Sequence, residues 1–130
     1  MIGGSGEQLT LRAVARVGDM CNIFGDPELV KKKYEVLRRH CEKEKRNFEE
    51  IESTNLTSLL LARDDATLKA KQERYGAAGG FRGHALTVPQ AIELVGRYQD
   101  ISSQIFIFSA YKNDRETLEL FANDVMPEFA

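Results

Sequence analysis

The sequence has few cysteines and little net charge, and each shortage excludes a class of protein. It contains two cysteines among 130 residues, Cys21 and Cys41. They have neither the spacing of a metal site nor that of a redox pair, so we expect two buried, reduced thiols and no metal. The formal net charge is −2, which gives no electrostatic attraction toward nucleic acid or an anionic membrane.

Membrane and linker segments are also lacking. Every apolar run falls far short of the roughly 20 residues that span a bilayer. No basic and apolar signal precedes the first predicted strand, and no Ser/Pro-rich linker or low-complexity segment divides the chain. A content of 42% hydrophobic and 29% charged residues is typical of a globular protein. We therefore expect residues 1–130 to form a single soluble, cytoplasmic domain.

Short apolar runs alternate along the chain with helical patterns. Four runs predict strands, at residues 1–2, 20–24, 56–61 and 105–108. The last two are continuously apolar, which is typical of parallel strands covered by helices. The order predicts an α/β fold of four βα units with a parallel sheet, either half of a TIM (β/α)8 barrel or a small doubly wound sheet.

Capping residues predict where the helices begin. Asp26 precedes Pro27, the pattern of an N-cap followed by proline at the first helical position. Two other starts carry a capping-box pair: Ser5 with Gln8, and Thr87 with Gln90. Another helix is predicted at residues 65–75, and the glycine-rich stretch 76–83 after it predicts a loop. The last helix is predicted from Asn113 or Asp114, with an apolar stripe at Leu118, Phe121, Val125 and Phe129.

A glycine-rich turn lies directly between the first predicted strand and the first predicted helix. It contains Gly3, Gly4, Ser5 and Gly6, and Thr10 follows it. Glycines allow a tight turn and the close approach of a ligand, and amides at a helix N-terminus favour phosphate. Ser5 and Thr10 add hydroxyl groups. From the residues alone, a phosphate-binding loop and a purely geometric turn remain equally open.

The residues of this turn resemble a segment of the luciferase-like monooxygenases. That segment reads roughly IGGSGE, then TLR, then Ala-Asp and asparagine, and residues 2–7, 10–12 and 15–22 are similar to it. Later stretches of the family resemble residues 25–37, 41–51, 87–90 and 105–109. The resemblance covers essentially the whole chain, and it is closest to the branch that uses the deazaflavin coenzyme F-420.

The resemblance implies a fold, a cofactor and a site. Members fold as an eight-stranded βα barrel with a redox cofactor at the carboxyl ends of the strands. The loop after the fifth strand helps to hold the cofactor phosphate, and the matching positions here are Gly3, Gly4, Ser5 and Gly6, with Thr10 as an addition. The implied cofactor is coenzyme F-420, with FMN as the alternative, and we expect its binding to the isolated chain to be weak or absent.

The resemblance also implies that much of the site is missing. The family's chain is about twice as long, and this sequence corresponds to its C-terminal half. No position therefore matches the family's proton-transfer residues, so no catalytic residue is assigned and we expect no activity from the chain alone. Two departures fall where the family uses glycine, at Lys45 and in residues 100–103. Glycine often takes a left-handed backbone conformation, so both departures put the geometry of these turns in question.

Other candidate residues receive simpler interpretations. His84 follows the glycine-rich stretch without a partner that would make it a catalytic base, and His40 lies among charged residues of a helix, where we expect it to be solvated. Lys112 follows the last predicted strand, which permits a phosphate contact, but a solvated lysine is the default expectation.

Two hypotheses follow, and a third fits less well. The chain is either the cofactor-phosphate half of a flavin- or F-420-dependent oxidoreductase, or a non-catalytic half-barrel. An open parallel sheet leaves two edges and one face uncovered, so we expect the chain to pair with itself as a homodimer or larger assembly. A receiver-like or flavodoxin-like domain is disfavoured because Asp19 precedes its strand instead of following it.

Overall fold

The computed structural model describes residues 1–76 and 81–130 and contains five strands and five α-helices. The strands are β1 (Ile2–Gly3), β2 (Met20–Phe24), β3 (Glu52–Ala62), β4 (His84–Thr87) and β5 (Ile105–Ala110). The helices are α1 (Thr10–Val17), α2 (Pro27–Lys43), α3 (Asp65–Tyr75), α4 (Val88–Asp100) and α5 (Arg115–Leu120). None of the helices in the described ranges is long and apolar enough to cross a membrane.

The sheet is parallel wherever its register is defined. β1 pairs with β2, β2 with the first half of β3, and β4 with the second half of β3, all in parallel. β5 also pairs with β3, and Gln104 just before it donates its amide to the Ser53 carbonyl at 2.8 Å. The predicted parallel α/β fold is confirmed. The predicted number of four strands is wrong, because the sheet has a fifth strand, β4.

The additional strand β4 lies at the end of the glycine-rich stretch. Residues 77–80 of that stretch lie outside the described residues, whereas residues 84–87 pair with β3 from Leu59 to Ala62. Gly83 enables this pairing, since a Cβ atom there would lie 2.3 Å from the Ser58 carbonyl oxygen. A strand of four residues without apolar alternation gives too weak a pattern to be found from sequence.

The chain forms two compact units. The first comprises Met1–Leu56 and Arg97–Ile107. Its sheet has a covered face, where Cys21 and Ile23 of β2 are fully buried. Helix α2 packs here with its predicted apolar face, of which Val30, Tyr34, Leu37 and Cys41 are all buried. Asp26 caps α2 as predicted, since its Oδ1 accepts the Leu29 amide at 2.8 Å.

The second unit comprises Thr57–Gly96 and Phe108–Ala130. Its core contains the apolar end of β3, in which Leu59, Leu60 and Leu61 are essentially fully buried. Helix α3 spans the predicted residues 65–75 and is capped by Asp64, whose Oδ1 accepts the Thr67 amide at 2.7 Å. At the start of α4, Gln90 accepts the Thr87 amide at 2.9 Å, which confirms one bond of the predicted capping box.

An ion-paired cluster lies beside the end of β3 in the second unit. The Nζ of Lys71 donates to the Leu61 carbonyl at 2.7 Å and to Asp114 Oδ2 at 2.8 Å. Asp114 also accepts from the Thr117 amide and hydroxyl and from Tyr75 Oη. Burial alone would raise the pKa of Asp114, but hydrogen bonds from Lys71, Thr117 and Tyr75 outweigh it and lower the pKa to about 2.

Two predicted details of the helices are wrong. Helix α1 begins at Thr10. Its N-cap position is Leu9, which makes no side-chain cap, so the prediction that Ser5 caps this helix is wrong. Helix α5 starts after Asp114 as predicted, but a wide π turn over Phe121–Val125 follows it. Phe121 and Val125 of the predicted stripe are buried, whereas Leu118 before the turn and Phe129 after it are exposed.

Lys45 and Ser102 lie at the two turns where the resembled family uses glycine, and both have a left-handed backbone conformation. Lys45 has φ of 54° and Ser102 has φ of 66°, both in the region that favours glycine. Each occupies a turn that closes a helix, with the Lys45 amide bonded to the Glu42 carbonyl and the Ser102 amide to the Gln99 carbonyl. The turn geometry therefore survives both substitutions at a cost in backbone strain.

Candidate functional site

The glycine loop between β1 and α1 is formed by Gly3, Gly4, Ser5 and Gly6, and all four residues are exposed. It begins where the Gly4 amide bonds to the Asn22 carbonyl of β2 at 3.1 Å. Gly4 has φ of 123°, a backbone conformation that disfavours any side chain. A Cβ atom on Gly6 would lie 2.9 Å from Thr10 Oγ1. A Cβ atom on Gly4 would also approach the Thr10 side chain, at 3.3 Å, so Gly4, Gly6 and Thr10 lie close together.

The donors of this loop differ from those that the sequence suggested. The first turn of α1 is partly closed, because the Leu11 amide bonds to the Gly6 carbonyl at 3.0 Å. In the described part of the chain, neither the Ser5 amide nor the Gly6 amide has a backbone hydrogen bond. These two amides and the hydroxyls of Ser5 and Thr10 are therefore candidate donors to a phosphate, and Thr10 Oγ1 lies beside Gly6.

The uncovered face of the sheet adjoins this loop in the first unit. Gly3 pairs with Asn22 of β2, and Phe24 lies two residues further along the same strand and the same face. Phe24 is 45% exposed, whereas Cys21 and Ile23 on the opposite face are fully buried. Ile105 at the start of β5 is also exposed. One face of this sheet therefore presents apolar side chains to solvent.

Glu7, the residue that follows the glycine loop, contacts two side chains of α2. Lys33 Nζ bonds to Glu7 Oε1 at 2.8 Å, and His40 Nε2 lies 2.7 Å from the Glu7 carbonyl oxygen. The pKa of Glu7 is lowered by the hydrogen bond from Lys33 and then by its charge. His40, which we expected to be solvated, is half-buried, and its ring contacts the chain directly after the glycine loop.

The remaining candidates, His84 and Lys112, belong to the second unit. His84 lies in β4 opposite Leu59. Lys112 follows β5 in a strained turn, where Lys112 and Asn113 have φ of 53° and 57°, and its Nζ lies 5.8 Å from the Tyr111 ring centroid. Among residues 1–76 and 81–130, no group of three or more His, Cys, Asp or Glu side chains is arranged to hold a metal ion.

The two thiols lie in the core, as predicted. Cys21 and Cys41 are both buried and unbridged. Burial, followed by the nearby Cys41, raises the pKa of Cys21 to about 11, so this thiol stays protonated and unreactive at neutral pH.

Comparison with known proteins gives matches of structure only. No family model matches the sequence, and no curated protein matches it. Three solved structures cover 96–98% of this chain with TM-scores of 0.73–0.78. They are a coenzyme F-420-dependent tetrahydromethanopterin reductase from Methanopyrus kandleri, an EDTA monooxygenase from Chelativorans sp. BNC1, and a riboflavin lyase with modified FMN and riboflavin.

The sequence identities to these three structures are low, and this chain covers at most half of each of them. The chain is 11%, 15% and 12% identical to the reductase, the monooxygenase and the lyase. It spans 50%, 43% and 41% of their respective lengths. These neighbours are luciferase-like enzymes with TIM-barrel-like chains. At the level of fold, this chain is therefore similar to about half of a luciferase-like oxidoreductase barrel.

Proposed function

We propose that residues 1–130 form one domain that supplies the phosphate side of a flavin or deazaflavin site in a luciferase-like oxidoreductase. The observation that supports the proposal is the exposed glycine loop at the carboxyl end of β1, where the Ser5 and Gly6 amides have no backbone hydrogen bond and Thr10 Oγ1 lies beside Gly6. Binding sites of α/β barrels lie at this end of the strands.

The proposed role of the loop is to bind and orient. Amides and hydroxyls that converge on one space stabilise a phosphate without a charged side chain. Gly4 and Gly6 keep that space open, and the bond from the Gly4 amide to Asn22 fixes the loop to β2. When bound, a flavin or deazaflavin supplies hydride chemistry. We assign no catalytic residue to this chain and expect no turnover from it alone.

Binding of cofactors with and without phosphate tests the proposal. The purified chain is titrated with FMN, with F-420 and with riboflavin, which lacks phosphate, while the cofactor fluorescence is followed. We expect weak binding that requires the phosphate. Gly6→Ala should weaken it about tenfold, because the added Cβ meets Thr10 Oγ1, whereas Gly96→Ala, where nothing lies within 4 Å, should not. Absence of binding at millimolar cofactor would contradict the proposal.

A second function is favoured by the uncovered face of the sheet. Phe24 and Ile105 are exposed at 45% and 37%, although large apolar side chains are usually buried. We propose that this face pairs with a second copy of the chain in a cytoplasmic homodimer, so that the molecule is a self-associating half-barrel even if it binds no cofactor. Sedimentation velocity tests this, and a monomer at high micromolar concentration would contradict it.

A further inference from the structure

Two side chains of α2 reach the residue that follows the glycine loop. Lys33 Nζ donates to Glu7 Oε1 at 2.8 Å, and His40 Nε2 lies 2.7 Å from the Glu7 carbonyl oxygen. Since a carbonyl oxygen can only accept, Nε2 is the donor in this contact. Glu7 is therefore bonded to α2 through its side chain and through its backbone at the same time.

The loop itself has few bonds that fix the direction of its donors. Its first half is held by the Gly4 amide, which bonds to β2, and its last carbonyl, that of Gly6, accepts the Leu11 amide. Within the portion of the chain that the structure describes, the Ser5 and Gly6 amides have no backbone partner. Glycine permits many backbone conformations, so the direction of these two amides depends on how the ends of the loop are held.

Helix α2 offers a rigid support for the C-terminal end of the loop. Tyr34 and Cys41 of its inner face are essentially fully buried, and Lys33 and His40 directly precede them in the chain. Lys33 and His40 are about two helical turns apart and lie on one side of α2. The Lys33 side chain is only 15% exposed, so its ion pair with Glu7 is better shielded from water than an ordinary surface pair.

We propose that Lys33 and His40 are positioning residues, which fix the glycine loop by holding Glu7 against α2. The inference rests on the function proposed above. Both side chains act through Glu7 and keep the Ser5 and Gly6 amides in the direction in which they can donate to a phosphate. Hydrogen bonds weaken steeply as distance and angle depart from the ideal, so a small movement of the loop is enough to weaken phosphate binding.

Three variants of the full chain separate positioning from general stability. The test variant is Lys33→Met with His40→Phe, which removes both contacts with Glu7 and roughly keeps the size of the side chains. The rescue variant is Lys33→Arg with His40→Gln, which keeps a cation and an N–H donor at these positions. The control variant is Arg46→Met. Arg46 follows α2 and also contacts α1, since its Nη1 donates at 3.3 Å to two carbonyls at the end of α1 away from the glycine loop.

Two measurements are made on each variant. FMN and riboflavin are titrated while flavin fluorescence is followed, and the ¹⁵N{¹H} NOE of the Ser5 and Gly6 amides is recorded without ligand. The test variant should bind FMN about fivefold more weakly than the wild type, which corresponds to the loss of one well-placed ion pair, and both NOE values should fall. The rescue and control variants should bind FMN within about twofold of the wild type and keep their NOE values, although Arg46→Met should unfold at a lower urea concentration.

The results that would overturn the inference differ from those that would overturn the proposed function. If FMN binds in a phosphate-dependent way but the test variant binds it as tightly as the wild type, or the control variant weakens it equally, the inference fails and the proposed function stands. Unchanged NOE values in the test variant would overturn the inference as well. If the wild type binds FMN no better than riboflavin, the proposed function fails and the inference fails with it.

Discussion

Replacement of Asp114 by alanine should destabilise the chain far more than the loss of an ordinary helix cap. Asp114 caps α5 through the Thr117 amide at 2.9 Å, and it also receives hydrogen bonds from Lys71 and Tyr75. Its side chain and that of Lys71 are 7% and 11% exposed. Removal of Asp114 therefore leaves a mostly buried ammonium group with only Glu116 as its acidic partner.

The size of the effect follows from two contributions. Loss of a helix cap costs about 1 kcal/mol. Removal of one partner from a buried ion pair costs about 3–5 kcal/mol, and the Glu116 carboxylate that stays beside Lys71 lowers this cost by about 1 kcal/mol, the worth of an exposed ion pair. Asp26 supplies the matched control, because it caps α2 through the Leu29 amide at 2.8 Å but is exposed and has no buried partner. We expect Asp26→Ala to lower the free energy of unfolding by about 1 kcal/mol and Asp114→Ala by about 3–5 kcal/mol.

The contribution of Asp114 should also depend on pH. Its pKa is lowered from 3.8 to about 2, so the ionised carboxylate stabilises the folded state. This stabilisation is complete above pH 3.8, is lost as the pH falls toward 2, and amounts to about 2 kcal/mol. In Asp114→Ala this part of the acid sensitivity should be absent.

Urea unfolding followed by circular dichroism measures these differences at pH 7 and at several values between 4 and 2. The difference between wild type and Asp114→Ala should be constant down to about pH 4 and should shrink below it. If Asp114→Ala costs no more than Asp26→Ala at pH 7, or if the difference does not change in acid, the account of the cluster is wrong.

Three further predictions concern backbone strain, the sheet face and the thiols. Lys45→Gly and Ser102→Gly should each raise the free energy of unfolding by about 0.5–1 kcal/mol, since both residues have positive φ, and a loss of stability in urea would contradict the strain. Phe24→Asp should shift sedimentation toward the monomer, whereas Leu118→Asp, at an exposed residue of α5, should not; equal shifts would argue against the open face as the interface. Cys21, with its pKa raised to about 11, should react with a thiol reagent at pH 8 only as fast as the chain unfolds, and rapid labelling of the folded chain would contradict its burial.

Local signals in the sequence were sufficient to predict several elements. Asp26 and Pro27 predicted the start of α2, and the apolar spacing from Val30 to Cys41 predicted its buried face. The continuous apolar residues of β3 indicated a strand covered by helices. These features depend on residues within one or two turns of each other, so the sequence carries them directly.

Features that depend on distant pairing were missed. The Lys71–Asp114 contact joins residues 43 positions apart, and nothing in either segment alone indicates the other. The charged neighbours of His40 along its helix do not indicate its contact with the Glu7 carbonyl, which lies 33 positions away. Strand β4 is too short for a pattern, and its only signal is Gly83, which allows close approach to Ser58.

The glycine loop was predicted in part and missed in part. The order strand, glycine turn and helix predicted an exposed loop at this place, and the structure has that loop between β1 and α1. The sequence also suggested that Ser5 caps α1 and that the helix terminus supplies the donors. The structure assigns the start of α1 to Thr10 instead, and the carbonyl of Leu9 at the N-cap position accepts the Ala13 amide at 2.9 Å.

The most direct test of phosphate binding by the glycine loop is a titration of the ¹⁵N-labelled chain with FMN and with riboflavin, followed by amide NMR. The account predicts that the amide resonances of Ser5, Gly6 and Thr10 shift with FMN, and that riboflavin at the same concentration leaves them unchanged. Shifts that are equal for both ligands, or that fall outside the loop, would contradict the assignment of the phosphate to Gly3, Gly4, Ser5, Gly6 and Thr10.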